Sequence, residues 1–226
     1  MTTRNYSKNP HYAVPTLADS SKVILFEAQP IVAIANGSIV GHELLYRGPR
    51  PVHWPAVDAA MVRFLRTSRD LPLMFVNLSN QGLMDIPFCD LVEAAASNAI
   101  VFELSESVSE YSMHKTIAAK VNALIDSGVR VAVDDFGTGR DSLERIYELN
   151  STHAVKVDRL FLQTCASRDD AGATLRYFVE RWREARIWSI AEGVEDAATY
   201  QFARSIGVDM VQGWHIDWLV NTAAAA

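Results

Sequence analysis

The chain has 226 residues, a length that suits one domain with a sizeable core and lies near the short end of the range for an α/β barrel. Its net charge of −6 and the lack of a basic stripe argue against direct DNA binding, because such binding depends on cations that displace counterions from phosphates. No apolar stretch approaches the roughly 20 residues of a membrane span, and the polar N-terminus lacks a signal core. The sequence therefore predicts a cytoplasmic protein with no membrane contact.

Three parts are expected along the chain. Residues 1–21 are polar, contain two prolines and show no periodicity, which is typical of a loosely ordered arm or of a short segment that contacts a partner. Residues 22–220 are expected to form a single barrel domain, and residues 221–226 a C-terminal tail.

The barrel domain begins with two strand-like runs, residues 23–31 and 38–46, joined at Asn36-Gly37. An Asn-Gly pair between such runs is a strong hairpin signal, so one antiparallel strand is expected near the N-terminus. Helix-like segments then alternate with further strand-like runs, and such alternation is typical of parallel βαβ units. These helices are predicted at residues 55–67, 90–97, 109–127, 142–149, 171–185 and 197–206. The predicted fold is α/β, a TIM-like (β/α)8 barrel with one antiparallel strand.

Seven of the apolar runs are followed directly by acidic, amide or amine side chains. These residues are Glu43, Asn77, Glu103, Asp134 with Asp135, Lys156, Glu192 and Gln212. In a barrel of parallel strands the carboxyl ends of the strands share one face, so we expect these groups to converge there. Converging carboxylates repel one another unless cations lie between them. The pattern therefore predicts a metal site with carboxylate and amide oxygen ligands.

The Asp134-Asp135 pair is the sharpest signal, because adjacent carboxylates at a strand end can point in different directions, one bridging two cations and the other binding the second. An acidic surface turn is the alternative for this pair taken alone, since Asp and Gly are common in turns. The polar residues at the other strand ends weaken that alternative.

Glu43-Leu44-Leu45-Tyr46-Arg47 resembles the Glu-x-Leu-x-Arg signature of the EAL-domain cyclic-di-GMP phosphodiesterases. Further blocks resemble that family in the same order, over about residues 24–216. They are Gln29-Pro30-Ile31, Asn77-Leu78-Ser79, Glu103-Leu104-Ser105-Glu106, Asp134-Asp135-Phe136-Gly137-Thr138-Gly139, Lys156-Val157-Asp158, Glu192-Gly193-Val194-Glu195 and Gln212-Gly213. The stretch after Arg47 is shorter than in the family, which implies a reduced substrate wall.

The resemblance implies two metal ions, Mg²⁺ or Mn²⁺, held by Glu43, Asn77, Glu103, Asp134, Asp135 and Glu192. Asp134 would bridge the two ions, and Glu192 would bind directly or through water. Lys156 and Gln212 would contact the attacking water, so the implied catalytic residues are Lys156, Glu43, Asp134 and Gln212. Hard cations of this kind prefer oxygen ligands, although Lys156 could instead only pair with the acids.

The resemblance also implies substrate-binding and loop-anchoring residues. Arg47 would bind a substrate phosphate, or else form a surface ion pair, and Gln29 would face the ligand. Asp158 could bind a guanine edge or form an ion pair with Arg159 or another residue, and both interpretations stay open. Two further acids are implied as loop anchors, Glu106 beneath the loop at 135–139 and Glu195, which could also cap the helix after Gly193.

The function implied is hydrolysis of cyclic-di-GMP to the linear dinucleotide pGpG in bacterial second-messenger signalling, by a homodimer that associates through the loop at residues 135–141 and its adjoining helix. Two alternatives remain, a catalytically silent receptor for cyclic-di-GMP and a protein-interaction module of the same fold. The complete set of implied ligands favours the enzyme over the receptor. The short stretch after Arg47 and the polar arm are what support the interaction module.

Overall fold

The computed structural model describes residues 9–16, 23–48, 53–104, 111–138 and 142–223. The strands are β1 (His11–Pro15), β2 (Val23–Ala33), β3 (Ile39–Tyr46), β4 (Met74–Leu78), β5 (Ile100–Leu104), β6 (Arg130–Phe136), β7 (Ala154–Val157), β8 (Trp188–Ala191) and β9 (Met210–Val211). The helices are α1 (Trp54–Thr67), α2 (Asn80–Asp85), α3 (Phe88–Ser97), α4 (Tyr111–Asp126), α5 (Ser142–Glu148), α6 (Arg159–Ser167), α7 (Asp169–Glu184), α8 (Ala197–Ile206) and α9 (Trp214–Ala223).

Within the described residues, strands β2 to β9 form a closed barrel in chain order, because β2 pairs with β9 as well as with β3. Both pairings of β2 are antiparallel, whereas β3 to β9 run parallel to one another. The β2–β3 connection turns at Gly37, whose φ of 72° lies in the left-handed region that favours glycine. The predicted TIM-like barrel with one antiparallel strand is confirmed.

The N-terminal segment differs from the expected loosely ordered arm. Residues 11–15 form β1, which pairs antiparallel with β2 from His11↔Glu27 to Pro15↔Val23. Val14 of this strand is buried, and Tyr12 packs edge-on against Phe64 of α1. The described part of the arm is therefore a ninth strand on the outside of the barrel. At the other end, α9 continues into the segment expected to be a tail.

The sequence analysis missed α2, α6 and α9, and all three follow directly after strand ends. Ser79 caps α2 by accepting a hydrogen bond from the Gly82 amide (3.0 Å), and Asp158 caps α6 by accepting from the amides of Leu160 and Phe161. Such caps satisfy amides that have no partner in the first turn of a helix. The cap residues therefore link the strand ends to the surrounding helices.

Apolar side chains fill the space between barrel and helices and also the lower part of the barrel itself. The interior layer consists of Ile31, Phe75, Val101, Ala132, Ala154, Ile190 and Met210, and all are buried. This layer closes the barrel from below, so polar groups are accommodated only above it, toward the carboxyl ends of the parallel strands.

None of the helices in the described ranges is both long and apolar enough to cross a membrane.

Candidate metal and substrate site

Seven of the eight barrel strands carry a polar residue two positions from an interior apolar residue, and on β3 Glu43 lies two positions from Gly41. Side chains alternate between the faces of a strand, so positions two apart point the same way. The pairs are Ile31 and Gln29, Phe75 and Asn77, Val101 and Glu103, Ala132 and Asp134, Ala154 and Lys156, Ile190 and Glu192, and Met210 and Gln212. Strand alternation therefore brings the predicted residues together in one polar layer above the apolar one.

Lys156 lies at the centre of this polar layer. Its side chain is fully buried, and its Nζ lies 2.6 Å from Glu192, 2.7 Å from Glu103, 3.1 Å from Glu43 and 3.3 Å from Asp134. Burial lowers the pKa of a lysine, but the four carboxylates outweigh it and raise the pKa of Lys156 well above its usual value. The ammonium is therefore a permanent positive charge among acids.

Glu43 is the most fully hydrogen-bonded acid of the site. Asn77 Nδ2 donates to one of its oxygens (2.6 Å), and Gln212 Nε2 donates to the other (2.6 Å). Although burial raises its pKa, the Lys156 charge and these amide donors together hold the pKa of Glu43 below its usual value. Glu43 is thus ionised and oriented, as a metal ligand requires.

Glu103 and Glu192 have the opposite tendency. Burial and the neighbouring charge of Glu43 raise the pKa of Glu103 well above its usual value, even with Lys156 at 2.7 Å. Burial, followed by the charges of Asp134 and Glu43, raises the pKa of Glu192 to about 8. One ammonium does not neutralise this many carboxylates, so the layer has room for further positive charge.

Asp135 joins the site through an unusual backbone conformation. Its φ of 57° lies in the left-handed region, and the β6–β7 register shifts between Val133 and Phe136. In a regular strand Asp134 and Asp135 would point to opposite faces. Here one carboxylate oxygen from each, with one from Glu192, lies within 4.8 Å of the others.

This chemistry fits a divalent cation. The three grouped carboxylates are hard oxygen ligands. Glu103 Oε2 is buried and accepts no hydrogen bond from the described residues, while Glu103 Oε1 and Asp134 Oδ1 are buried beside the Lys156 ammonium, at 2.7 and 3.3 Å. Buried carboxylate oxygens without donors are costly unless a cation contacts them.

A cavity of about 420 Å³ opens above the polar layer. Its walls are Gln29, Glu43, Leu45, Asp134, Asp135, Asp158, Arg159, Glu192, Gly193, Glu195, Gln212, Gly213 and Trp214. Gly213 allows the wall to close, since a Cβ there would lie 2.4 Å from the Val194 amide nitrogen. The cavity contains most of the predicted metal ligands and much of the predicted substrate site.

Arg47 and Gln29 lie on the antiparallel side of this site. Arg47 Nε donates to Glu27 Oε2 (2.7 Å), and 44% of the Arg47 side chain is exposed. Gln29 Nε2 donates to Asp217 (2.9 Å), while its Oε1 accepts from Gln212 (2.9 Å). Arg47 follows Glu43 and Leu45 on the same face of β3, so it lies at the rim above the cavity.

The last three predicted residues, Asp158, Glu195 and Glu106, do not all lie where they were expected. Asp158 lines the cavity and caps α6. Arg159 pairs with Glu195 Oε1 (2.9 Å), so of the two open interpretations of Asp158, an ion pair with Arg159 is not what the structure has. The cap of α8 is Asp196, which accepts from the Thr199 amide, and not Glu195. Glu106 lies outside the described residues.

Sequence reasoning missed three buried polar residues beside the site: Asn9, Glu27 and Asp217. The sequence could have indicated Glu27, because this residue lies two positions before Gln29 on the same face of β2. No sequence pattern indicates Asn9 or Asp217, since their partners Glu27 and Gln29 lie 18 and 188 positions away in the chain.

A second cavity of about 540 Å³ adjoins the first and shares Leu45 with it, while Asn77 lines the second cavity. Its walls are mostly apolar, with Tyr46 and Trp54 in edge-on contact at one side. Asp58 of α1 lines it and accepts hydrogen bonds from the Ser79 amide (3.0 Å) and hydroxyl (2.6 Å). This hollow lies between β3, β4 and α1, beside the segment that follows Arg47.

Comparison with known proteins gives a consistent result. The family model described as EAL domain matches residues 56–217, a range that begins after Gln29 and Glu43. A probable cyclic di-GMP phosphodiesterase, PdeB of Escherichia coli, is 25% identical over 92% of this chain and 44% of its own length. The oxygen sensor protein DosP of the same organism is 31% identical over 82% of this chain and 27% of its own. The chain thus spans less than half the length of these curated relatives.

Solved structures share the fold. The EAL enzyme Bd1971, bound to cAMP and cyclic-di-GMP, superposes with a TM-score of 0.69 at 21% identity, covering 85% of this chain and 61% of that one. A standalone EAL protein from Vibrio cholerae, bound to c-di-GMP, gives a TM-score of 0.66 at 21% identity, covering 92% of this chain and 91% of that one.

Proposed function

The chain belongs to the EAL domain family, and from this premise we propose that it hydrolyses cyclic-di-GMP to the linear dinucleotide pGpG. The observation that carries the proposal is the polar layer, in which acids and amides from seven strands surround Lys156 beneath a cavity. A layer of excess buried carboxylate supports cation-dependent chemistry on a phosphate better than it supports simple anion binding.

We propose that two Mg²⁺ or Mn²⁺ ions are held by Glu43, Asn77, Glu103, Asp134, Asp135 and Glu192. The close grouping of Asp134, Asp135 and Glu192 supports the assignment of one ion, and the donor-poor oxygens of Glu103 and Asp134 support the other. When bound, such ions polarise the phosphate and lower the pKa of water, so that water becomes a nucleophile at neutral pH.

Lys156 and Gln212 are proposed to act on the reacting phosphate. Because the pKa of Lys156 is raised, its ammonium keeps its proton at neutral pH and stabilises negative charge rather than accepting a proton. Gln212 is fixed by its bonds to Gln29 and Glu43, so its amide holds one orientation beside the attacking water. The ring contains two phosphodiester groups, and attack of water on the phosphorus of one would break one of its two P–O ester bonds, leaving one terminal phosphate and one free ribose hydroxyl.

Arg47, Gln29 and Asp158 are proposed to bind the rest of the substrate. A protein with a net charge of −6 repels an anionic dinucleotide, so a guanidinium at the rim provides local attraction. Asp158 already caps α6 through Oδ1, and its position in the cavity wall supports a second contact to a guanine edge.

The test is a chromatographic time course of cyclic-di-GMP with Mn²⁺ or Mg²⁺. We expect pGpG to appear, and EDTA or Glu43→Ala to reduce the rate at least about 10³-fold, since Glu43 organises the amides and the cation site. Glu180→Ala, an exposed acid on α7, is the matched control and should retain full activity.

Full activity of Glu43→Ala would reject the metal assignment. Unchanged substrate from folded wild-type protein would reject the enzyme, and calorimetry would then divide the alternatives: heat on adding the nucleotide indicates a receptor, and no heat an interaction module.

The homodimer and the cytoplasmic location stay predictions. Part of the loop proposed for dimerisation, residues 139–141, lies outside the described residues. Light scattering tests the dimer, and a strictly monomeric protein with full activity would contradict a role of that loop in coupling the interface to the site.

A further inference from the structure

Three buried polar residues beside the cavity form a cluster with no role in the proposed chemistry. Asn9 and Glu27 are each 7% exposed, and Asp217 is 3% exposed. Asn9 Nδ2 donates to Glu27 Oε1 (2.8 Å). Burial raises the pKa of Asp217 and the Asn9 amide acts to lower it, while Oδ1 of Asp217 is buried without a hydrogen-bond donor among the described residues. One amide therefore interacts with two buried carboxylates, one from β2 and one from α9.

Both carboxylates contact residues assigned above to substrate binding. Glu27 accepts from Arg47 Nε (2.7 Å), and Asp217 accepts from Gln29 Nε2 (2.9 Å). Since Gln29 in turn accepts from Gln212, hydrogen bonds connect Asp217 to the polar layer.

The backbone around Asn9 is fixed by the barrel. The Ala28 amide donates to the Pro10 carbonyl (2.8 Å), and β1 pairs with β2 from the next residue onward. Asn9 is thus held against the barrel by main-chain contacts on one side and by two carboxylates on the other, although it precedes the first residue matched by the family model.

We propose that Asn9 is a positioning residue for the substrate site, which orients Arg47 through Glu27 and Gln29 through Asp217; this inference rests on the proposed function. An asparagine suits the position because its NH₂ group offers two donors, enough for two carboxylates. The cluster makes the N-terminal strand part of the substrate site.

The positioning role of Asn9 is inferred from the conformational freedom that Arg47 would have without this cluster. Arg47 is half exposed, so its long side chain has many conformations once Glu27 is no longer held. Ordering such a side chain on binding weakens affinity. A guanidinium has five N–H donors, so Arg47 keeps its contact with Glu27 and still donates to a phosphate. Holding Glu27 therefore favours substrate binding, while Glu43 retains its own bonds from Asn77 and Gln212.

The test compares steady-state kinetics of Asn9→Ala and Asn9→Asp with wild type in Mn²⁺. We expect KM to rise about tenfold in Asn9→Ala with kcat within about twofold, from the ordering cost of Arg47 and Gln29. Asn9→Asp should raise KM at least as much, because a third carboxylate replaces the donor. Asn36→Ala is the matched control: Asn36 accepts hydrogen bonds from Ser38 in the turn at the opposite end of the barrel, and its loss should leave KM unchanged.

Glu27→Gln provides a second variant if Asn9→Ala melts at the assay temperature, since it keeps the contact with Asn9 and removes the charge that holds Arg47. An unchanged KM in both variants, or a fall in kcat at unchanged KM, overturns the inference while leaving the hydrolase intact. If the wild-type protein has no activity, its affinity for cyclic-di-GMP is measured by calorimetry and compared with that of the variants. Weaker binding by the variants supports the inference, and equal binding overturns it. No binding by the wild-type protein overturns both proposals.

Discussion

The interior of the barrel has two layers with the same burial and opposite chemistry. Ile190 and Ala132 in the lower layer are 0% exposed, and so are Glu103 and Lys156, which lie one pleat above. Burying the lower side chains stabilises the fold at about 25 cal/mol per Å². Burying the upper ones is unfavourable unless their charges are balanced. The same strands therefore stabilise the protein at one level and hold uncompensated charge at the next.

The difference between the layers determines where the proposed cations would bind. The lower layer is closed by branched and aromatic side chains, so it excludes water and provides a floor of low polarity. Charges on such a floor interact more strongly than charges in water. The one ammonium of Lys156 faces four carboxylates, and the raised pKa values of Glu103 and Glu192 reflect the imbalance. A cation that enters this layer is attracted by charge that is already fixed in place.

Removing the charge of Lys156 should have the largest effect on the polar layer. In Lys156→Met we expect the free energy of unfolding in EDTA to fall by about 3–5 kcal/mol, because the buried carboxylates lose the ammonium of Lys156. Mn²⁺ should restore much of that loss if the proposed metal ions bind the same acids. Urea unfolding with EDTA and with Mn²⁺ measures both effects.

The control for this variant is Lys115→Met, at an exposed position of α4. It should unfold like wild type under both conditions. An equal loss for Lys156→Met with and without metal would mean that Lys156 acts by packing alone, and that the polar layer does not bind metal ions.

A cavity made in the lower layer should destabilise the protein equally with and without metal ions, in contrast to Lys156→Met. Ile190→Ala removes buried methylene and methyl groups directly below Glu192 and is expected to destabilise the protein by about 3 kcal/mol. The loss should be the same in EDTA and in Mn²⁺, because the deleted groups are apolar and Ile190 is not one of the proposed metal ligands. Urea unfolding again gives the value, and a calorimetric Mn²⁺ titration should give wild-type affinity. A metal-dependent loss would show that the two layers are coupled.

The regular part of this arrangement could be predicted from sequence. Parallel strands of a barrel share one face at their carboxyl ends, so a polar residue after each apolar run is enough to predict that Glu103, Asp134 and Lys156 lie close together. The Asn36-Gly37 turn likewise identified the antiparallel β2. Both inferences need only the period of a strand and the chemistry of a turn.

The irregular part could not be predicted, for physical reasons that differ from residue to residue. Asp135 was predicted as a ligand, but the positive φ through which it enters the site is not indicated by the period of a strand. The Arg159–Glu195 pair and the contacts of Asn9 and Asp217 depend on how loops and ends approach one another, which sequence periodicity does not encode. The strand at His11–Pro15 was hidden by its two flanking prolines, which an edge strand tolerates.

Asp58 extends the comparison to a site outside the barrel interior, since it is a buried carboxylate that accepts hydrogen bonds but has no ion pair with a lysine or arginine among the described residues. Burial raises its pKa to about 6, against the donors of Ser79 that lower it. The folded state then retains a proton that the unfolded state releases, so wild-type stability attributable to Asp58 is complete below pH 4 and is lost as the pH rises toward 6. Asp58→Asn lacks this titrating group, so its stability relative to wild type should rise by on the order of 2–3 kcal/mol between pH 4 and pH 7.

Urea unfolding of Asp58→Asn between pH 4 and 7 measures that gain against wild type, and Asp126→Asn on an exposed part of α4 is the matched control without it. The result should not change with Mn²⁺, because Asp58 contacts Ser79 and none of the proposed metal ligands. A pH-independent difference would mean that the two Ser79 donors keep Asp58 ionised without any cation. In that case hydrogen bonds alone could also stabilise the ionised acids of the polar layer, and their burial would not require metal ions.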